Sequence, residues 1–233
     1  MATLAGKTAV ILGASGSANF GTAIARRFAA EGATVVIAAR RLEPLQALAK
    51  ELNGTAVACD VTRDGDIENL FKVATQTCGG VDIAVFSAGM HAAGMIAELN
   101  ADAIRPTLEV SVVGALLFFR HAAAAMKGGG SVITISSLTA RIPGPGLSVY
   151  ATARAGIDYA IKVAAIEYGD AGVRFNSVAA GLIQTDMTDA FFTMDSVLAG
   201  HLDATPCGRM GTLDDMAEAA LFLADTQRSG FIN

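Results

Sequence analysis

Short apolar runs alternate along this chain with longer amphipathic stretches, the pattern of βαβ units building a parallel sheet. Strands are predicted at Lys7–Leu12, Thr34–Ala39, Thr55–Cys59, Ile83–Ser87, Ser131–Ser136 and Arg174–Ala179. Helices are predicted between them, at Gly21–Glu31, Leu42–Leu52, Asp64–Cys78, Asp102–Met126, Val149–Tyr168 and Leu213–Ala224. No linker-like segment, repeat or low-complexity stretch interrupts the alternation. The expected fold is therefore α/β: one Rossmann-like, doubly wound parallel sheet with helices on both faces, a single domain over residues 1–233.

Composition adds to this picture at a few points. Hydrophobic residues make up 52% of the chain and charged residues 17%, so much apolar surface must be buried inside the domain or between subunits. A net charge of −5 with no basic patch argues against a nucleic-acid partner. Cys59, Cys78 and Cys207 have no metal-like spacing and read as isolated thiols in a reducing compartment. Met1 to Gly6 carries no charged leader region, and the longest apolar run, Val110 to Phe119, is too short to span a bilayer. No membrane association and a cytoplasmic location are the expectation. His91, His121 and His201 are too far apart to suggest a metal site and read as surface or helix residues.

The candidate chemistry lies in three places. Ser137 precedes Tyr150 by thirteen residues, and Arg154 follows the tyrosine by one helical turn. A serine hydroxyl can donate to an oxygen substituent, a phenol can give or take its proton, and a fixed cation favours the phenol's anionic form. Between the first strand and first helix runs Gly13-Ala-Ser15-Gly-Ser-Ala-Asn19-Phe20-Gly21. Glycines at such a turn let the backbone approach a pyrophosphate, with the helix's free amides behind it. The second strand ends at Ala39-Arg40-Arg41, with no carboxylate for a ribose 2′-hydroxyl and two guanidinium groups suited to a 2′-phosphate.

The Ser137 and Tyr150 spacing resembles the active site of the short-chain dehydrogenase/reductase family, whose usual signature is Tyr-x-x-x-Lys. Arg154 replaces that lysine: it keeps the charge and can grip a diol, but it cannot relay a proton. Ser111 stands where the family often carries a helix Asn leading to the lysine; alternatively it is a buried serine bonding a carbonyl one turn back. The glycine turn is two residues longer than the family's Gly-x-x-x-Gly-x-Gly, with Asn19 in the middle glycine's place. Asp60-Val61 resembles the family's adenine contact. Ser87-Ala88-Gly89 resembles the tail of its Asn-Asn-Ala-Gly motif, with Phe86 and Ser87 for the asparagines. Ala180-Gly181 through Thr185 resembles its Pro-Gly-x-x-x-Thr segment, which implies contacts from Ile183 and Thr185 to the nicotinamide carboxamide.

The resemblance implies NADP(H), favoured over NAD(H), and hydride transfer between a ketone and a secondary alcohol. Ser137 would hold the substrate oxygen, Tyr150 exchange the proton, and Arg154 bind ribose and set the phenol's charge. An apolar lid over Asp186–Leu202, with Met187, Phe191, Phe192 and Met194, implies an apolar small-molecule carbonyl or alcohol substrate. The alanine-rich helices Asp102–Met126 and Val149–Tyr168 imply a homodimer or homotetramer. Lys162, two helical turns beyond Arg154, reads as a solvated charge. Ser229-Gly230-Phe231-Ile232-Asn233 resembles the lead-in to the family's last strand, which the sequence does not continue.

Two other readings stand beside this one. Ser-Tyr-Arg also resembles the halohydrin dehalogenases, a related nucleotide-free group in which an aromatic residue closes the cofactor space, as Phe20 could here. A non-catalytic nucleotide-binding protein of the same family is the third.

Overall fold

The sheet's two faces divide the strand residues by strict alternation. Along β1 (Thr8–Leu12), Ala9 and Ile11 enter one core while Val10 and Leu12 enter the other. β2 (Thr34–Ala39) divides in the same way, Val35 and Ile37 to one side and Val36 and Ala38 to the other. Strands buried on both faces in this manner belong to an all-parallel sheet with helices on each side. The remaining strands are β3 (Thr55–Ala58), β4 (Ile83–Phe86), β5 (Gly130–Ser137) and β6 (Val173–Ala180). Their order is β3-β2-β1-β4-β5-β6, every pairing parallel. Chain direction across the sheet reverses between β1 and β4, which is where such folds open a crevice for a ligand.

The computed structural model describes residues 2–233; Met1, part of the N-terminal lead-in discussed above, lies outside the described residues. On one face, α1 (Phe20–Ala30), α2 (Leu42–Leu52) and α8 (Leu213–Ala224) bury Ile24, Phe28, Leu45 and Leu221 against the sheet. On the other, α3 (Asp64–Cys78), α5 (Gly114–Ala125) and α6 (Ser148–Tyr168) bury Leu70, Phe71, Phe118, Phe119 and Ile157. The described residues form this one domain. Predicted and observed strand ends differ by a residue: β5 extends to Ser137, which pairs with Ala180 at the end of β6.

The predicted single helix Asp102–Met126 is three segments on one axis. α4 (Ala101–Leu108) contains Pro106, a π-helical turn follows at Glu109–Val113, and α5 completes it. Proline removes one helix hydrogen bond, and the wide turn just after it absorbs the mismatch. Taken together, Ala101–Ala125 is 25 residues with a mean hydropathy of 1.5, long and apolar enough to cross a membrane by length and composition. That corrects the estimate made from Val110 to Phe119 alone. In this fold its inward side packs on the sheet through Ala115, Phe118, Phe119 and Ala122.

The segment after β6 is helical at Asp189–Thr193 and in α7 (Asp195–Asp203), and neither helix buries a residue. Met187, Phe191, Met194 and Leu202 all stay exposed, so this segment is a flap that presents apolar side chains at its surface. After α9 (Thr226–Ser229), the last residues lie along the outer edge of β6: Asn233 Oδ1 accepts from the Phe175 amide at 2.7 Å, and Ile232 O accepts from Arg174 and Asn176 side chains.

Candidate active site

The carboxyl ends of β1, β2, β4 and β5 open into a cleft of about 610 Å³. Lining it are Gly13, Ser15, Asn19 and Phe20 from the first turn, Arg40 and Arg41 after β2, Asp60 and Val61 after β3, and Ser87, Ala88 and Gly89 after β4. Tyr150, Arg154 and Thr185 close it from the β5 and β6 side. Of the residues singled out in the sequence, Gly21, Ser111, Ser137 and Ile183 lie outside its lining. A larger hollow of about 700 Å³, around Gly129, Arg174 and Asn233, holds none of the constellation.

Glycines permit the turn's close approaches. Gly13 has a φ of 105°, and a Cβ there would lie 2.7 Å from the Ala88 nitrogen. A Cβ on Gly21 would fall 2.5 Å from the Gly13 carbonyl oxygen, so Gly21 is the packing partner beneath the turn. Asn19 caps α1 by accepting from the Thr22 amide at 2.8 Å. The amides of Phe20 and Gly21, at the head of the helix, remain available to an anion. Phe20 packs against the core shared by α1, α2 and α8 and also borders the cleft.

Arg154 is buried on the first turns of α6. Its Nη1 donates to the Ile135 carbonyl at 2.9 Å, and the guanidinium carbon lies 5.1 Å from the centroid of the Tyr150 ring. Gly89 has no room for a Cβ, because Arg154 Nη2 occupies that space. Arg154 Nε is buried with no partner, as are the hydroxyls of Ser136 and Ser111. Ser111 sits in the π-helical turn and makes no bond to a carbonyl one turn back, so that alternative does not hold. Orphaned donors beside a cleft bordered by glycine amides suit a polyhydroxylated ligand such as a nucleotide ribose.

Ser137 Oγ accepts from the Thr139 amide at 3.2 Å and from Thr139 Oγ1 at 3.0 Å. Its own hydrogen is left to donate to a substrate oxygen. Thr188 ties down the segment after β6: its hydroxyl bonds the Ile183 carbonyl, the Thr185 amide and the Thr185 hydroxyl. Thr188 is thus a partner of Ile183 and Thr185 that the motif alone does not reveal. Asp60 accepts from the Thr62 amide and hydroxyl, which, with a smaller pull from Arg40 and Arg63, hold its carboxyl below the ordinary range. Burial pushes the Cys59 thiol up to about 12, so the thiol on the cleft wall is no nucleophile.

His91, expected at the surface or on a helix, is instead half-buried in a loop, its ring centroid 5.1 Å from that of Tyr150. Burial holds its imidazole below the ordinary range. Its place two residues after Gly89, in a loop leaving a strand's carboxyl end, is the signal that could have found it.

A family model described as enoyl-(acyl carrier protein) reductase matches residues 13–233. The chain is 33% identical over 241 residues to a short-chain dehydrogenase reductase of Arabidopsis thaliana, covering 97% of this chain and 88% of that protein. It is 34% identical over 236 residues to 3beta-hydroxysteroid dehydrogenase 1 of Eggerthella lenta, covering 97% and 89%. A short-chain type dehydrogenase/reductase from Mycobacterium ulcerans has the same fold with a TM-score of 0.94 and 27% identity, covering 99% of this chain and 86% of that one.

Proposed function

This chain belongs to the short-chain dehydrogenase/reductase family, and we propose that within it the protein is an NADP(H)-dependent oxidoreductase interconverting a ketone and a secondary alcohol on an apolar substrate. The observation that carries this reading is the buried guanidinium of Arg154 held against the Tyr150 ring at the mouth of the cleft.

The nicotinamide, when bound, supplies or accepts the hydride. Residues that would hold it are those bordering the cleft: the glycine turn, Asp60 and Val61, Ser87 to Gly89, Arg154 and Thr185, with Arg40 and Arg41 placed for a 2′-phosphate. Ser137, oriented by Thr139, donates to the substrate oxygen. Tyr150 gives that oxygen a proton in reduction and takes it back in oxidation. Arg154 places a fixed positive charge against the Tyr150 ring without itself giving up a proton. The exposed Met187, Phe191 and Met194 offer an apolar cover to the substrate. Exposed Val113, Leu116, Tyr159, Val163 and Ile166 on the α5 and α6 side support self-association into a dimer or tetramer.

Titration with NADPH and NADH, followed by nicotinamide fluorescence, tests the reading. Tighter binding of NADPH, and carbonyl-dependent NADPH oxidation lost in Tyr150→Phe, are the expected results. Binding of neither nucleotide would overturn it.

A further inference from the structure

The turn from Gly13 to Gly21 is long for a strand-to-helix connection, and a long turn rich in small residues does not hold one shape unaided. Three side chains hold this one. Thr22 Oγ1 donates to the Gly16 carbonyl at 2.9 Å, and Arg41 Nη2 donates to the Ser15 carbonyl at 2.9 Å. The third comes from the far end of the sheet. Asp186 Oδ1 accepts from the Ser17 hydroxyl at 2.9 Å and from the Ala18 amide at 3.2 Å, and its second oxygen lies 3.3 Å from the same amide. Its own amide donates back to the Ala18 carbonyl at 2.9 Å. A Cβ on Gly16 would collide with this carboxylate. Ser17 and Ala18 are thus joined to the segment leaving β6 in both directions, by main chain and by side chain.

We infer that Asp186 is a positioning residue for the nucleotide: its carboxylate clasps the glycine turn to the β6 exit and sets the turn's remaining amides in place for a phosphate. The inference rests on the nucleotide-binding reading above. Asp186 occupies the amide of Ala18 and leaves those of Phe20 and Gly21, at the head of α1, to an incoming anion. Its charge opposes a pyrophosphate, but the side chain is exposed and its field is screened by salt. Holding several residues of the turn in one backbone conformation outweighs that repulsion. The clasp also ties the turn to Thr185, one residue earlier, and to Met187 at the root of the flap, so the turn and the flap share one anchor.

The test compares Asp186→Ala, Asp186→Asn, Ser17→Ala and the Ser17→Ala/Asp186→Ala double variant with the wild-type protein. Two measurements are made: amide hydrogen exchange without nucleotide, and NADPH affinity by fluorescence titration. Asp186→Ala should lose protection at the Ala18 amide and weaken NADPH by about tenfold, the scale of a lost charge-assisted pair of hydrogen bonds. The loss should appear in Kd and KM for the nucleotide more than in kcat. Asn, which keeps an acceptor, should restore most of the affinity. The double variant should lose less than the sum of the two single losses. Unchanged exchange at Ala18 in Asp186→Ala would overturn the clasp whatever the binding data show. Affinity for NADPH equal to or above wild type would show that the carboxylate only repels the phosphate. A wild-type protein that binds neither nucleotide would instead overturn the functional reading, and the phosphate-positioning role with it.

Discussion

Arg154 lies with its guanidinium carbon 5.1 Å from the centre of the Tyr150 ring, and its Nη1 is fixed on the Ile135 carbonyl at 2.9 Å. The contact couples α6 to the end of β5. The i,i+4 spacing on α6 puts the two side chains on one face, and the end of β5 supplies the acceptor that stops the arginine from swinging away. A guanidinium can satisfy both demands together, because Nη1 donates to the carbonyl while the charged carbon stays over the ring.

Arg154→Lys should therefore retain activity, since an ammonium on a shorter reach keeps the charge beside the phenol. Arg154→Met should lower kcat/KM by about 10²–10³, the range of a lost contribution to acid–base catalysis. Steady-state kinetics on both variants with one carbonyl substrate check this. An inactive lysine variant would mean that the forked geometry, not the charge, is what the reaction needs.

The glycines on either side of the cleft should respond differently to alanine. In Gly13→Ala the new methyl meets the backbone of Ser87 and Ala88 at a φ of 105°, and neither can yield. A loss of about 2–4 kcal/mol of stability is expected, from overpacking and backbone strain together. In Gly89→Ala the methyl meets only the guanidinium end of Arg154. That variant should fold with a smaller loss and fail chiefly in kcat/KM. Thermal melts beside kinetics separate the two; equal melting temperatures would contradict the assignment of Gly13.

How far the sequence carried the site can be seen residue by residue. The alternation of strands and helices and the Ser137–Tyr150–Arg154 spacing were legible because they depend on local periodicity. The π-helical turn around Ser111 was not, because it reflects Pro106 and the close packing of Gly114 on Val61, where a Cβ would fall 2.5 Å from a Val61 methyl. Thr139, Thr188 and Asp186 were missed for another reason. Each acts on a backbone group or hydroxyl, and no residue pattern announces which carbonyl or amide a hydroxyl or carboxylate will meet. His91 was read as one of three scattered histidines, and its contact with Tyr150 is made by a loop whose path no periodicity specifies.

His91 should make stability depend on pH. Burial lowers its folded-state pKa below the ordinary value of about 6.5. Between the lowered value and 6.5 the unfolded chain binds a proton that the folded protein does not, so stability rises with pH through that window and declines as the pH falls. Replacing it in His91→Gln should flatten this part of the profile. Melting temperatures measured from about pH 5 to 8 for both proteins check it; parallel profiles would show that the imidazole is not held neutral by the fold.

Arg40 and Arg41 stand next to each other after β2 but have different neighbours, and that difference separates their expected effects. Arg41 Nη2 holds the Ser15 carbonyl at 2.9 Å, so Arg41 helps to shape the glycine turn as well as offering a charge. Arg40 is exposed and reaches no such backbone group; its nearest consequence is a pull on the Asp60 carboxyl. Arg40→Ala should weaken NADPH by about tenfold, the scale of a lost charge-assisted bond to a phosphate, and leave NADH nearly unchanged. Arg41→Ala should weaken both nucleotides, because a loosened turn serves neither. Titration of each variant with both nucleotides gives four dissociation constants. If Arg41→Ala also spared NADH, the bond to Ser15 would have no part in binding, and both arginines would act on the 2′-phosphate alone.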